Sequence, residues 1–303
     1  MTAQAKLTTN LNLANPMPLL GVITKAAVSR QGEPPQQPSK HKAPTNQLKK
    51  SAASKFSKAA TVYNQHANVQ KHAADDLVKL IVANKAINAA VANPVCVDLG
   101  AGPLVNTPTL TQLFSKVLAI DLSLTMLQSS ACNTPRMCAD MDKLPLQANS
   151  VDVVFSNFAV QWSADLAALF ASLHQVLKPG GQAYISCVAE GSLAEIKTAF
   201  SALDSHSHIN RFNSEQHINQ SVKKAGFSIN STIKKRYVDE FATPLAAIRS
   251  IKAIGATAQN TANTRRGLLT KHALQRVCHA YPLKNNRAQV SYHVILLALT
   301  KRQ

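Results

Sequence analysis

Val95-Cys96-Val97-Asp98-Leu99-Gly100-Ala101-Gly102-Pro103 is the stretch on which the fold turns. Its first five residues are a short apolar run, entered from Pro94, of the kind that forms a parallel strand buried on both faces. The Gly-Ala-Gly that follows is a turn, where glycine admits positive φ or a close ligand. Downstream the pattern repeats. Val117–Ile120 reads as a strand, and Ser123 caps a helix through Met126 and Leu127. Val151–Ser156 reads as a strand. Asp165–Leu177 reads as an amphipathic helix stopped by Pro179-Gly180-Gly181, and Gln182–Val188 as the next strand. Asn213 with Gln216 opens a helix that closes at Gly226, followed by a strand from Phe227 to Tyr237. Thr243 with Pro244 opens a helix ended by Gly255, and Thr270 opens another to Ala280. Ser291–Thr300 is the last strand. Upstream, Leu77, Leu80, Ile81, Ile87 and Val91 recur at helical spacing over Ala73–Ala92. Strands alternating with helices predict an α/β, doubly wound, mostly parallel sheet.

Composition narrows the function. The chain has 303 residues, 46% of them hydrophobic, enough for a full core. Its 33 Lys and Arg against 15 Asp and Glu give +18, so an anionic partner or substrate is expected. Residues 1–54 carry Gln31-Gly32-Glu33-Pro34-Pro35-Gln36-Gln37-Pro38 and no sustained apolar period; they read as a disordered basic tail before a folded unit over 55–303. The apolar run Val294–Leu299 is far short of a bilayer span. No secretory signal opens the chain, and five scattered cysteines without a CxxC pair read as reduced thiols. A cytoplasmic protein with no membrane span, disulfide framework or metal site is expected.

In an open α/β sheet the ligand lies over the carboxyl ends of the strands. Gly100 and Gly102 would pack beneath it. Asp121, at the end of the second strand about twenty residues on, would take both hydroxyls of a ribose. A dinucleotide wants a further glycine at 105, where Val105 stands. Asp98 before the turn would repel a pyrophosphate and attract the positive charge of S-adenosylmethionine. A plain tight turn remains the alternative for this motif alone. Asp140, ending a third short strand, would accept from an adenine amino group, and the fourth strand brings Asn157 to the site. With Leu177-Lys178-Pro179-Gly180-Gly181, these pieces occur in the order of a Rossmann-like class I methyltransferase.

Ser156-Asn157-Phe158-Ala159-Val160-Gln161-Trp162, Asn210-Arg211-Phe212, Arg249-Ser250-Ile251-Lys252 and Gly255-Ala256-Thr257 resemble the BioC family, the malonyl-acyl-carrier-protein O-methyltransferases of biotin synthesis. Phe56–Tyr63 and Gly191-Ser192-Leu193 are also similar, so the resemblance covers residues 56–300. It departs at Leu104, where the family usually has glycine; a β-carbon there is expected to press on the methionine part of the cofactor. The resemblance implies methyl transfer from S-adenosylmethionine to the free carboxylate of a malonyl thioester, carried on acyl carrier protein or coenzyme A, and a helical insertion or lid after the fifth strand.

A carboxylate nucleophile needs no general base, so catalysis would consist of positioning and exclusion of water. Arg211, in the insertion, is expected to hold the carboxylate with a two-pronged contact, with a surface salt bridge or an acyl-carrier contact as the alternative. Tyr63 would close over the site and donate its hydroxyl. Trp162 and Phe158 read as packing or pocket wall, and the scattered histidines as structural. The clusters Lys223-Lys224, Lys234-Lys235-Arg236, Arg249, Lys252 and Arg265-Arg266 suit an acidic carrier protein. Nucleic-acid methylation is disfavoured, because Asn157-Phe158-Ala159-Val160 lacks the Pro-Pro-aromatic loop of base-amine enzymes. A quinone-type small-molecule methyltransferase and an inactive S-adenosylmethionine-binding module are the rivals.

Overall fold

The computed structural model describes residues 53–58, 63, 67–84, 93–254 and 270–302. The expected tail up to residue 52, the end of the first helix over 85–92, Gly255-Ala256-Thr257 and Arg265-Arg266 lie outside them. Ala53 and Ser54, assigned to the tail from sequence, belong to a helical turn over 53–58.

Helix α1 (Asn68–Ala83) precedes strand β1 (Val95–Leu99). There follow α2 (Thr107–Leu113), β2 (Lys116–Asp121), α3 (Leu124–Gln128), β3 (Arg136–Cys138) and β4 (Val151–Asn157). Then come α4 (Leu166–Val176), β5 (Leu177–Val188), α5 (Ala194–Ser201), α6 (Glu215–Lys224) and β6 (Phe227–Phe241). The chain continues through α7 (Pro244–Ala253), α8 (Lys271–His279), β7 (Leu283–Lys284) and β8 (Arg287–Lys301). The sheet runs β3-β2-β1-β4-β5-β8-β6, with β7 hairpinned onto β8. β1 to β5 are parallel; β8 is antiparallel to both β5 and β6. This is the expected α/β, Rossmann-like architecture. Among the described residues no helix is long and apolar enough to cross a membrane.

The strands bury both faces because successive residues point opposite ways. Cys96, Val153, Phe155 and Tyr184 face one layer, packed by α1, α2, α5, α7 and α8. Val97, Leu99, Val154, Ala183 and Ile185 face the other, against α4 and α6. α4 buries Leu166, Leu169, Phe170, Leu173 and Val176, one stripe at helical spacing, and Asp165 caps it by accepting from the Ala167 and Ala168 amides. Ser123, Thr243 and Thr270 cap α3, α7 and α8 as the sequence predicts. One cap differs: Ser214, not Asn213, opens α6, accepting from the His217 amide. Asn213 is already engaged, its carbonyl accepting from the Glu190 amide in a bridge to Ala189.

Leu104 corrects a second expectation. It adopts φ +58, which explains why glycine suits this position. Its side chain is 1% exposed and packs with Ala101, Ala119 and Leu127, away from the ligand cleft described below. A leucine in left-handed backbone costs about 1–2 kcal/mol, whereas truncating a buried leucine costs about 2–5 kcal/mol. Leu104→Gly should therefore lower stability by about 2 kcal/mol, read as a lower urea midpoint at unchanged m-value. A raised midpoint would show that strain outweighs packing here.

Candidate functional site

Strand order reverses between β1, which continues to β2, and β4, which continues to β5. Loops leaving such a pair diverge and open a crevice at the carboxyl ends of the strands. Here the crevice lies between the Gly100–Pro103 turn and the Phe158–Trp162 loop. The amides of Gly100 and Ala101 both donate to the Ile120 carbonyl, at 2.7 and 3.0 Å, and Ser156 Oγ donates to the Leu99 carbonyl at 2.9 Å. These bonds tie the turn to the neighbouring strands. Gly100 has φ +72, and a Cβ there would come within 2.2 Å of Ala159 Cβ, so the two loops touch at this point. Gly102 has φ +55, and its Cβ would meet nothing within 4 Å. That open space belongs to the cleft.

The cleft and two adjoining chambers hold most of the predicted site. The cleft, about 730 Å³ including its open mouth, is lined by Gly100, Gly102, Asp121, Asp140, Asn157 and Tyr63, with apolar walls from Leu122, Met126 and Met141. Its volume falls within the usual range of about 300–1,000 Å³ for ligand sites. A second, mostly apolar chamber of about 420 Å³ lies among Phe158, Trp162, Val188, Leu193, Ile251 and Tyr292. A third, smaller one runs along the glycine turn past Gln70, Lys71, Asn106 and Asn157. Tyr63 lines all three.

Asp121 is held from both sides. Gly102 N donates to its Oδ2 at 2.9 Å and Ser123 N to its Oδ1 at 2.7 Å. Burial raises its pKa, and these amides oppose the rise. The Leu122 amide adds to this hold, and the lone-pair capacity that remains can take a further donor such as a ribose hydroxyl. Asp140 accepts from the Asp142 amide at 3.0 Å. Asn157 is fixed by donating to the Gln70 carbonyl at 2.9 Å and accepting from Ser186 Oγ at 2.6 Å. Burial, with the Asp121 charge adding, holds Tyr63 above the ordinary tyrosine range and keeps its proton in place.

Two predicted residues sit elsewhere. Asp98 does not line the cleft; it is buried beneath the turn, where its Oδ2 accepts from Thr107 Oγ1 at 2.7 Å. Alternation along β1 turns it toward α2 rather than toward a ligand. Burial lifts its pKa to about 7; the Thr107 bond opposes this and the Asp121 charge adds to it. Arg211 is exposed and lines none of the three spaces, although its neighbours Asn210 and Phe212 line the second. The structure also shows partners that sequence patterns did not single out. Phe56 packs edge-on against Trp162 at 5.1 Å, and Ser57 Oγ shares a 2.7 Å hydrogen bond with Ser123 Oγ, so the 53–58 turn covers one side of the cleft. Among the described residues no cluster of His, Cys, Asp or Glu has the makings of a metal site.

Known proteins match this geometry. The family model described as a methyltransferase domain matches residues 97–185. The malonyl-acyl-carrier-protein O-methyltransferase of Pseudescherichia vulneris is 34% identical over 249 residues, covering 80% of this chain and 94% of its own. That of Salmonella typhimurium is 31% identical over 252 residues, covering 82% and 96%. The crystal structure of a Bacillus halodurans protein, proposed to be a methyltransferase, superposes with a TM-score of 0.54 at 16% identity, over 76% of this chain and 100% of that one, a likeness of fold alone.

Two outcomes are expected. Gly102→Ala should fold, at a cost of about 1–2 kcal/mol for left-handed alanine. Its affinity for S-adenosylhomocysteine should fall at least about tenfold by calorimetry, a loss of 1.4 kcal/mol. Unchanged affinity would place the ligand away from the turn. The second concerns Asp98. Its raised pKa means that its contribution to stability is full below its unfolded pKa of about 3.8 and is lost as pH rises through about 7. Between pH 5 and 7, wild type should lose stability relative to Asp98→Asn by about 1.4 kcal/mol per pH unit; parallel stability–pH curves would contradict this.

Proposed function

The chain belongs to the malonyl-acyl-carrier-protein O-methyltransferase family, and we propose that it methylates the free carboxylate of a malonyl thioester on acyl carrier protein, with S-adenosylmethionine as donor. The observation that carries this reading is the meeting of three spaces at Tyr63: an acid-lined cleft, a polar chamber along the glycine turn and a mostly apolar chamber. The residues present fit the donor. Asp121 would hold the ribose, Asp140 and the walls Leu122, Met126 and Met141 the adenine, and the glycine turn with Asn157 the amino-acid end. S-Adenosylmethionine, when bound, supplies an electrophilic methyl group.

The remaining work falls to this chain's own residues. A malonyl carboxylate is ionised at neutral pH, so no side chain has to remove a proton. Phe158, Trp162, Val188, Leu193 and Ile251 exclude water from the second chamber and keep the carboxylate poorly solvated and reactive. The Asp121 carboxylate, whose charged form the Gly102 and Ser123 amides favour against the effect of burial, supplies negative potential that favours a cationic donor over its neutral product. The methyl ester, lacking the malonyl charge, suits the next condensation steps toward a pimeloyl thioester and biotin.

The basic surface divides into two classes. Lys234, Lys235 and Arg236 are paired with Glu215, Asp76 and Glu195. Arg211 and Lys252 are exposed beside residues that line the second chamber, Asn210 with Phe212 and Ile251. On this reading Arg211 and Lys252 stand at the chamber mouth and meet the acidic carrier, rather than the carboxylate inside.

Labelled S-adenosylmethionine and malonyl-carrier protein should yield a labelled methyl ester. The reading fails if this substrate gives none while a quinone or an RNA is methylated. Arg211→Glu with Lys252→Glu should raise KM for malonyl-carrier protein at least about tenfold while changing KM for malonyl N-acetylcysteamine thioester less than twofold. Equal effects on both substrates would return Arg211 to the carboxylate.

A further inference from the structure

With Arg211 outside the second chamber, the acceptor carboxylate still needs a donor inside it. β8 runs antiparallel to β5, so the residues before Val294, which pairs with Val188 at the end of β5, extend beyond the sheet's carboxyl edge toward the site. Tyr292 stands there, with its ring 6% exposed and its centroid 6.0 Å from that of Phe158. It lines the same chamber as Tyr63. Among the described residues its hydroxyl has no hydrogen-bond partner, and Tyr292 is part of the lining of the chamber. The donors nearby are committed: Gln161 Nε2 donates to the Phe158 carbonyl at 2.6 Å, and Tyr281 Oη to the Gln289 carbonyl at 2.6 Å; Gln161 Oε1 can only accept. An unpaired phenol on a largely buried tyrosine calls for an explanation, and the chamber it faces supplies one.

We propose that the Tyr292 hydroxyl, opposite Tyr63, donates a hydrogen bond to the acceptor carboxylate and holds it for methyl transfer. The assignment rests on the proposed malonyl thioester substrate. Burial, followed by Asp239, the neighbouring Tyr63 and Tyr281, and Glu195, keeps the phenol protonated and so able to donate to a carboxylate. A neutral donor suits the reaction. It orients the carboxylate without forming the tight ion pair that would draw electron density from the attacking oxygen, and it holds the uncharged ester less strongly.

Tyr292→Phe removes one oxygen and keeps the ring against Phe158. The proposal expects kcat/KM for malonyl N-acetylcysteamine thioester to fall about 10- to 100-fold, the range for hydrogen bonds to charged groups. The dissociation constant of S-adenosylhomocysteine and the inhibition constant of the methyl ester product should stay within twofold. The melting temperature should not fall, because the free protein loses no hydrogen bond; a structural hydroxyl would lower it. Tyr292→Leu, which also removes the ring, should lose as much activity and in addition lose stability. A folded Tyr292→Phe enzyme with wild-type kcat/KM, or with equal losses in cofactor and substrate affinity, overturns the assignment and leaves the malonyl reading standing. A wild-type enzyme that methylates no malonyl thioester overturns both.

Discussion

The carboxylate of Asp121 is the constraint on which the site depends. Its two oxygens take one amide from the glycine turn after β1 and one from the start of α3, joining segments that the sheet alone would leave as separate loops. A buried carboxylate is tolerable only when such donors compensate its lost hydration. The geometry follows from that requirement. Gly102 must bring its amide close, which sets its left-handed backbone, and Ser123 must present its own amide while its side chain caps α3. Ser123 Oγ then reaches Ser57, and Phe56 of the same turn reaches Trp162 on the opposite wall. One carboxylate thus organises the floor, one side and part of the cover of the cleft.

The sheet was legible because β1, β2 and β4 are short apolar runs ended by Asp, Gly or Asn, and because serine, threonine and aspartate mark the helix starts. The acids at 121 and 140 were legible for the same reason: a polar residue ending an apolar strand lies at the ligand edge. Asp98 misled because it lies inside its strand, where alternation and not chain position decides which way a side chain points. Leu104 misled because glycine at one backbone conformation reads as ligand clearance, whereas the side chain there points into the core. β6 and β8 run longer than the apolar pattern of either, since full-length antiparallel pairing carries the charged Lys234–Arg236 stretch as an exposed edge. Tyr292 carries no local signal; in the sequence it is one more aromatic residue of a buried strand. Its importance arises from β8 overshooting β5, a fact of sheet register.

The division of charge gives the chemistry its logic. The chain as a whole carries a formal net charge of +18, a sign that favours encounter with an anionic carrier. Among the described residues the second chamber's lining holds no lysine or arginine, only aromatic rings, phenols, amides and apolar side chains. In the proposed mechanism, attraction at the mouth and weak, neutral donation within let an anionic acceptor arrive, be oriented and leave once its charge is masked. Among the described residues Tyr63 is the one common to all three spaces, and in the proposed reaction donor and acceptor meet beside it.

The most direct measurement is a crystal structure of the protein with S-adenosylhomocysteine and a malonyl thioester. The account predicts the ribose hydroxyls on Asp121, the sulfur over Gly102 beside Tyr63, and the malonyl carboxylate in the apolar chamber between the two tyrosines. A nucleoside bound away from the tips of β1 and β2, or a cleft left empty at saturating ligand, would contradict it.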